Sequence, residues 1–393
     1  MRKYLLIFLT ALCVLSSCKN TDEPDSGETD ARKTLLMYLP WSDNLTSYFK
    51  QNIKDMEACI ADRGGLGNER VLVFMCTSAT VASLFEIKYE NGECNRVELK
   101  TYVDPAFTTE EGIAGIIGDA VAYAPADKYA MIIGCHGMGW LPVSSRRGMQ
   151  SREKPHWECG PDALLTRYFG GISSNHQTDV WTLAAAIADN GLKMEYILFD
   201  DCYMASIEVA YELKEVADYL IASTCEVMAY GMPYATMGRH LLGTPDYKAV
   251  CDDFHEFYSN YTAMPCGTLS VTDLSQLDAM ADLMRQINKS YSFDGSDRRQ
   301  LQVLDGYNPT IFYDFGDYVN TLLRQNDAPA GMAAEFELLL NRLVPYKTNT
   351  EKFYTAAQGP LKINRYSGIT TSDPSVSSTT AGKVDTRWYH ATH

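Results

Sequence analysis

Apolar positions along this chain follow two alternating patterns. Short runs rich in β-forming residues, "KTLLMYLP" (33–40), "RVLVFMCTS" (70–78), "KYAMIIGC" (128–135), "MEYILF" (194–199), "DYLIASTC" (218–225) and "GTLSVTDL" (267–274), read as strands. Between them lie segments at helical spacing. Leu45, Phe49, Ile53, Met56 and Ile60 mark one helix, with Ser42 as its expected N-cap and Gly64-Gly65 as its stop. "TTEEGIAGIIGDAVAYAP" (108–125) predicts a second, opened by Thr108 with Glu111 three residues on as a capping box, and a third runs around Trp181 to Asp189 and closes near Gly191. "FEIKYENGECNRVELK" (85–100) predicts a hairpin turning at Asn91-Gly92, a pair suited to a type I′ turn. Strand alternating with helix predicts an α/β fold, a mostly parallel sheet with helices on both faces. Beyond about residue 275 the pattern turns mainly helical, with a late strand-like "RYSGITTSDPS" and a terminal "TRWYHATH".

The 393 residues are 46% hydrophobic, enough for a large core. A net charge of −16 argues against nucleic acid or an anionic membrane surface as partners. The N-terminus, "MRKYLLIFLTALCVLSSCKN", has two basic residues, an apolar stretch and small residues, which is the form of an export signal. "LSSC" at 15–18 resembles the bacterial lipobox, so Cys18 is the expected lipidation site, with ordinary signal cleavage nearby as the alternative. That resemblance implies a lipid-anchored protein of the bacterial cell envelope, facing the periplasm or the cell surface, touching membrane only through its N-terminal lipid. The acidic, apolar-poor segment 19–32 then reads as a flexible tether, 33–275 as the main domain and 276–393 as a C-terminal accessory region. Among 11 cysteines no C-x-x-C pair occurs, so neither a disulfide framework nor a zinc ribbon is expected. Dinucleotide, P-loop and G-x-S-x-G motifs are missing from the sequence as well.

In open parallel sheets ligands bind outside the carboxyl ends of the strands. Two strands here end in reactive residues: one in His136-Gly137, the other in Asp200-Asp201-Cys202. A thiol needs a base or an electropositive site to become thiolate, and imidazole titrates close enough to neutrality to serve. Cys202 is expected to open the helix "YMASIEVAYEL", whose dipole would favour an anionic sulfur. Gly137 lets the chain turn after the histidine and, with the amide of Cys202, supplies a candidate oxyanion hole.

"HGMGW" (136–140) and "FDDCYMASIEVAYEL" (199–213), each after an apolar strand, resemble the two signature regions of the clostripain family of cysteine peptidases, and "CEVMAYGMPY" (225–234) is similar to its Gly-x-Pro-Tyr region beside the substrate pocket. The resemblance implies a caspase-like three-layer sandwich and a dyad of His136 as general base and Cys202 as nucleophile. It also places Asp200 in the S1 pocket, selecting Arg or Lys, and implies peptide or protein substrates with such a residue at P1. Family members are commonly activated by cleavage at a basic residue between the His and the Cys, leaving two associated chains, and the resemblance implies the same here. The unpatterned stretch 141–175 offers Arg147 and Arg146, then Arg152 and Lys154. No cofactor is required; the family resemblance allows calcium without assigning it ligands. Two positions depart from the family pattern: Cys135 stands where many relatives carry Asp, and Asp201 where they carry a small residue, bringing negative charge near the thiol.

Other readings compete. Cys135 is a rival nucleophile, although alternation in an extended segment turns it away from His136. Asp200 and Asp201 are alternative helix caps, Asp201 the better. His156, Cys159 and His176 complete no metal-ligand set and read as loop residues. Trp140 and Tyr234 either line the cleft or close the core edge. At the level of function, the competing classes are a non-catalytic surface lipoprotein binding peptide or glycan on the same fold, and an amidase acting on cell-wall peptides.

Overall fold

The computed structural model describes residues 31–143 and 176–393; Cys18, the tether and the basic candidates Arg146, Arg147, Arg152 and Lys154 lie outside them, as do His156 and Cys159. The first half runs β1 (Ala31–Leu39), α1 (Thr46–Asp62), β2 (Glu69–Ser78), β3 (Val81–Glu90), β4 (Glu93–Val103), α2 (Glu110–Tyr123), β5 (Ala126–Ile133) and α3 (Val180–Asp189). It continues with β6 (Met194–Phe199), α4 (Ile207–Leu213), β7 (Ala217–Ala222), α5 (Tyr234–Met237), α6 (Tyr247–Ser259), β8 (Thr268–Asp273) and α7 (Leu277–Ser290). Then come β9 (Tyr313–Asp314), α8 (Phe315–Gln325), α9 (Ala330–Leu343) and β10 (Tyr346–Asn349), followed by shorter pieces.

Among the described residues nine strands form one sheet in the order β10-β8-β7-β6-β5-β1-β2-β3-β4. The central run from β7 to β2 is parallel, and antiparallel strands extend it on both sides. Side chains of β1 alternate between two cores: Leu36 and Tyr38 join α2, α3, α4 and α7, while Leu35, Met37 and Leu39 join α1 and α6. Both faces of a parallel sheet must be covered, which is why its strands read as continuous apolar runs. The hairpin turn falls at Asn91 and Gly92, both at positive φ (54° and 89°), as a type I′ turn requires.

Two caps differ from the sequence expectation. Ser42 does not cap α1; its hydroxyl donates to the Pro40 carbonyl at 3.1 Å, and a short 3₁₀ turn intervenes before the helix. α2 is capped by Thr109 rather than Thr108, its hydroxyl accepting from the Gly112 amide at 3.2 Å. Either threonine suits a cap chemically; the helix starts at Glu110, so Thr109 with its extended backbone stands in the cap position.

The chain after residue 275 shares the main core. Leu277, Phe315, Phe336 and Trp388 belong to the cluster that contains Leu36 and Ile133, and β10 pairs antiparallel with β8. The last segment docks on α4: Thr370 N–H donates to the Ala205 carbonyl at 2.9 Å, and Lys383 Nζ lies 3.1 Å from the fully buried Glu208 carboxylate. Lys383 also donates to Thr371 Oγ1 and the Ser372 carbonyl, each at 2.7 Å. Removing one partner leaves an uncompensated buried charge. Lys383→Met is therefore expected to lower the unfolding free energy by about 3–5 kcal/mol in urea titrations; an unchanged midpoint would contradict this assignment.

Candidate active site

Neighbouring strands β5 and β6 deliver the two expected segments to one edge. Ile133 pairs with Phe199, so the chain emerges from both strands at the same level. Glycine makes the close approach of the two segments feasible. A Cβ on Gly137 would lie 2.3 Å from the Cys202 carbonyl oxygen and 3.1 Å from its nitrogen, and one on Gly139 would lie 2.9 Å from the Tyr203 carbonyl oxygen. Gly139 also sits at φ +59°, a conformation that favours glycine.

Cys202 sits in a turn rather than at the start of a helix. α4 begins at Ile207 and is capped by Ser206, whose hydroxyl accepts from Val209 N–H at 3.2 Å. The expected dipole effect on the sulfur, and the capping roles of Asp200 and Asp201, therefore do not hold: four residues, Tyr203 to Ser206, separate Cys202 from a seven-residue helix. The turn is stabilised in another way. Tyr203 adopts φ +62°, its N–H donates to the Cys225 carbonyl at 3.1 Å, and its ring stacks on Phe312 with centroids 5.0 Å apart. Such a strained residue persists because its surroundings over-determine it. The Cys202 sulfur has no exposed surface and accepts from Val227 N–H at 3.2 Å.

His136 is part-exposed. In the neutral ring Nε2–H donates to Asn44 Oδ1 at 3.1 Å, and Nδ1, on the buried side of the ring, then carries the lone pair. Asn44 comes from the turn between β1 and α1 and was not singled out in the sequence. The pairing of β1 with β5 brings that turn beside the residues that follow β5, an adjacency set by the fold and not by any local pattern.

The two aspartates point to opposite sides of the sheet. Asp200, 1% exposed, accepts from Met232 N–H at 3.1 Å and Tyr234 O–H at 3.0 Å, so it meets the Gly-x-Pro-Tyr segment on the side of α1 and α6. Asp201 instead accepts from the Cys135 amide and, at 3.4 Å, from its thiol. The two positions that depart from the family pattern therefore touch each other, and the Asp201 carboxylate anchors the backbone that carries His136. Trp140 closes the core edge: it is 3% exposed and donates to Ser372 Oγ at 2.9 Å.

Every described cysteine is a free thiol. Burial pushes Cys76, Cys225 and Cys251 up to about 12, and Cys59 and Cys266 to about 11, so none of these supplies thiolate near neutral pH. Among the described residues no group of His, Cys, Asp and Glu is arranged to hold a metal ion.

A caspase-like α/β sheet carrying histidine and cysteine segments at adjoining strand ends defines a cysteine peptidase of that architecture. The chain belongs to the clostripain family, whose model matches residues 37–334. It is 53% identical to a secreted C11 cysteine protease from Bacteroides thetaiotaomicron, "iotapain", over 93% of this chain and 100% of that one, with a TM-score of 0.84. A clostripain from Bacteroides thetaiotaomicron in complex with the peptide inhibitor BTN-VLTK-AOMK is 57% identical, covering 57% of this chain and 99% of that one, with a TM-score of 0.55. An inactive zymogen C11 protease from Parabacteroides distasonis is 27% identical, covering 93% and 99%, with a TM-score of 0.73. No sequence among curated proteins matches this chain. No helix among the described residues is long and apolar enough to cross a membrane.

Proposed function

We propose that this cysteine peptidase is an endopeptidase that cleaves after Lys or Arg through His136 and Cys202. The observation that carries this reading is that the pairing of Ile133 with Phe199 sets the two strand ends side by side, with Gly137 so close to Cys202 that a Cβ there would have no room. His136 Nδ1 takes the thiol proton and Cys202 Sγ attacks the scissile carbonyl, while the amides of Gly137 and Cys202 stabilise the oxyanion. The protonated ring then donates to the leaving amine, and water hydrolyses the thioester with His136 again acting as base. Asp200 would meet the basic P1 side chain from the side of Met232 and Tyr234. In support, the inhibitor named for the clostripain relative carries Lys as the last residue of its peptide.

Activation by cleavage within 141–175, at Arg147 or its basic neighbours Arg146, Arg152 and Lys154, into two associated chains belongs to the same proposal. A sulfur without exposed surface in the uncut chain suits an enzyme that turns over after processing. The chemistry uses no cofactor; any calcium would act on the fold rather than in the bond-breaking step. Anchoring through Cys18 would hold the enzyme at the cell envelope. The covered thiol is also the feature that favours the second reading, a surface lipoprotein that binds peptide or glycan without turnover. A Lys acyloxymethyl ketone separates them: mass spectrometry is expected to find the adduct on Cys202, and failure to label, or labelling of a different cysteine, would rule out the peptidase assignment to this site.

Asn44 holds the ring as a positioning residue. Asn44→Ala is expected to lower kcat/KM for a Lys-P1 peptide by about 10–100-fold, mainly in kcat, because a misplaced catalytic group loses the benefit of orientation. The pH profile should shift as well, since the Nε2 hydrogen bond fixes which ring nitrogen is basic; an unshifted profile with unchanged kcat would remove Asn44 from this role.

A further inference from the structure

A cavity of about 80 Å³ opens beside His136, on the face opposite Asp200. On the same measure one water occupies about 10–15 Å³, so the space suits a branched aliphatic side chain. Its walls are mostly apolar and come from five elements: Ile113 of α2, Ile133 of β5, Leu183 of α3, Phe199 of β6 and Met204 of the nucleophile turn. His136 and Gly137 form its border toward the strand ends.

We propose that this cavity is the S1′ subsite and selects an aliphatic residue immediately after the scissile bond. The inference rests on the reading of His136, Cys202 and Asp200 given above. Asp200 and Asp201 are consecutive and diverge across the sheet: Asp200 bonds Met232 and Tyr234 on the side of α1 and α6, whereas Asp201 lines the cavity on the side of α2 and α3. A substrate carbonyl held between the amides of Gly137 and Cys202, with its P1 side chain toward Asp200, directs its leaving amine past His136. The ring that protonates that amine also borders the cavity, so the first leaving-group side chain arrives at the apolar walls.

The charged groups around the cavity have other partners. Asp201 accepts from the Cys135 amide and thiol, and Asp179 accepts from Val143 N–H at 2.7 Å. Both carboxylates oppose an acidic P1′ residue; His176 and Gln177 also border the cavity, but the larger part of its wall is apolar and favours an aliphatic side chain.

The test is competition among peptides that share a Lys at P1 and differ at P1′, followed by mass spectrometry of the cleavage products. Leu is expected to exceed Gly by about tenfold in kcat/KM, with Asp below Gly. Leu183→Trp, which fills the cavity, should bring the Leu-to-Gly ratio close to one. That ratio is independent of how much of the variant is folded. Cleavage after Lys with equal rates at every P1′, or a ratio unmoved in Leu183→Trp, would overturn the subsite while leaving the dyad intact. No cleavage of any Lys peptide, Gly at P1′ included, would overturn the dyad reading and the subsite together.

Discussion

Cys202→Ser is expected to abolish cleavage of Lys- and Arg-P1 peptides, with kcat/KM falling by at least about 10⁴-fold, because the intermediate is bonded through this atom and a hydroxyl beside imidazole alone is a far weaker nucleophile. Serine is a better choice than alanine for a structural reason. The sulfur accepts from Val227 N–H, and alanine would leave that buried amide without its partner at a cost of about 1–3 kcal/mol. The serine variant should therefore melt close to the wild type while remaining inactive. It should also stay a single chain, whereas the wild type is expected to separate into two fragments under denaturing electrophoresis. A serine variant that retained peptidase activity would end the assignment of the nucleophile; an intact but active wild type would remove the processing step alone.

Asp200→Asn should remove the preference for basic P1 residues. A charge-assisted contact to Lys or Arg, lost from a site that excludes water, is worth about 2–5 kcal/mol, which corresponds to roughly 30- to 5000-fold in kcat/KM. The asparagine oxygen keeps an acceptor for Met232 N–H and its amide nitrogen can donate to the Tyr234 hydroxyl oxygen, so the fold around Gly231–Tyr234 should survive. The diagnostic quantity is the ratio of Lys to Leu at P1, which should fall steeply, and not the rate on either substrate alone. Equal losses on both would show that Asp200 supports the loop through Met232 and Tyr234 instead of selecting substrate.

Much of the architecture was legible in the chain itself. Runs such as "KTLLMYLP" and "MEYILF" are apolar on both faces, and only a covered parallel sheet accommodates that pattern. The strand-end rule then placed His136 and Cys202 together across two neighbouring strands, and the register of Ile133 with Phe199 bears out that neighbourhood. Local chemistry was a weaker guide. "DDCYMAS" offers several capping side chains in a row, and the cap fell to Ser206, because the chain must first bend over the end of β7 before it can turn into α4. Asn44 was missed because its partner lies in another segment of the chain, and no spacing rule connects them.

What the sequence by itself determined is the alternation of strand and helix, the family, and which residue types stand at the strand ends, since each follows from periodicity or from short motifs. The direction each side chain takes was decided by the tertiary structure. Asp200 and Asp201 are chemically identical and adjacent, yet one meets Met232 and Tyr234 while the other holds Cys135. The burial of the Cys202 sulfur against Val227 and the apolar cavity next to His136 likewise arise only when α2, α3 and the end of β7 close around the edge. Contacts between distant segments depend on how those segments pack, and no local pattern of residues encodes that packing.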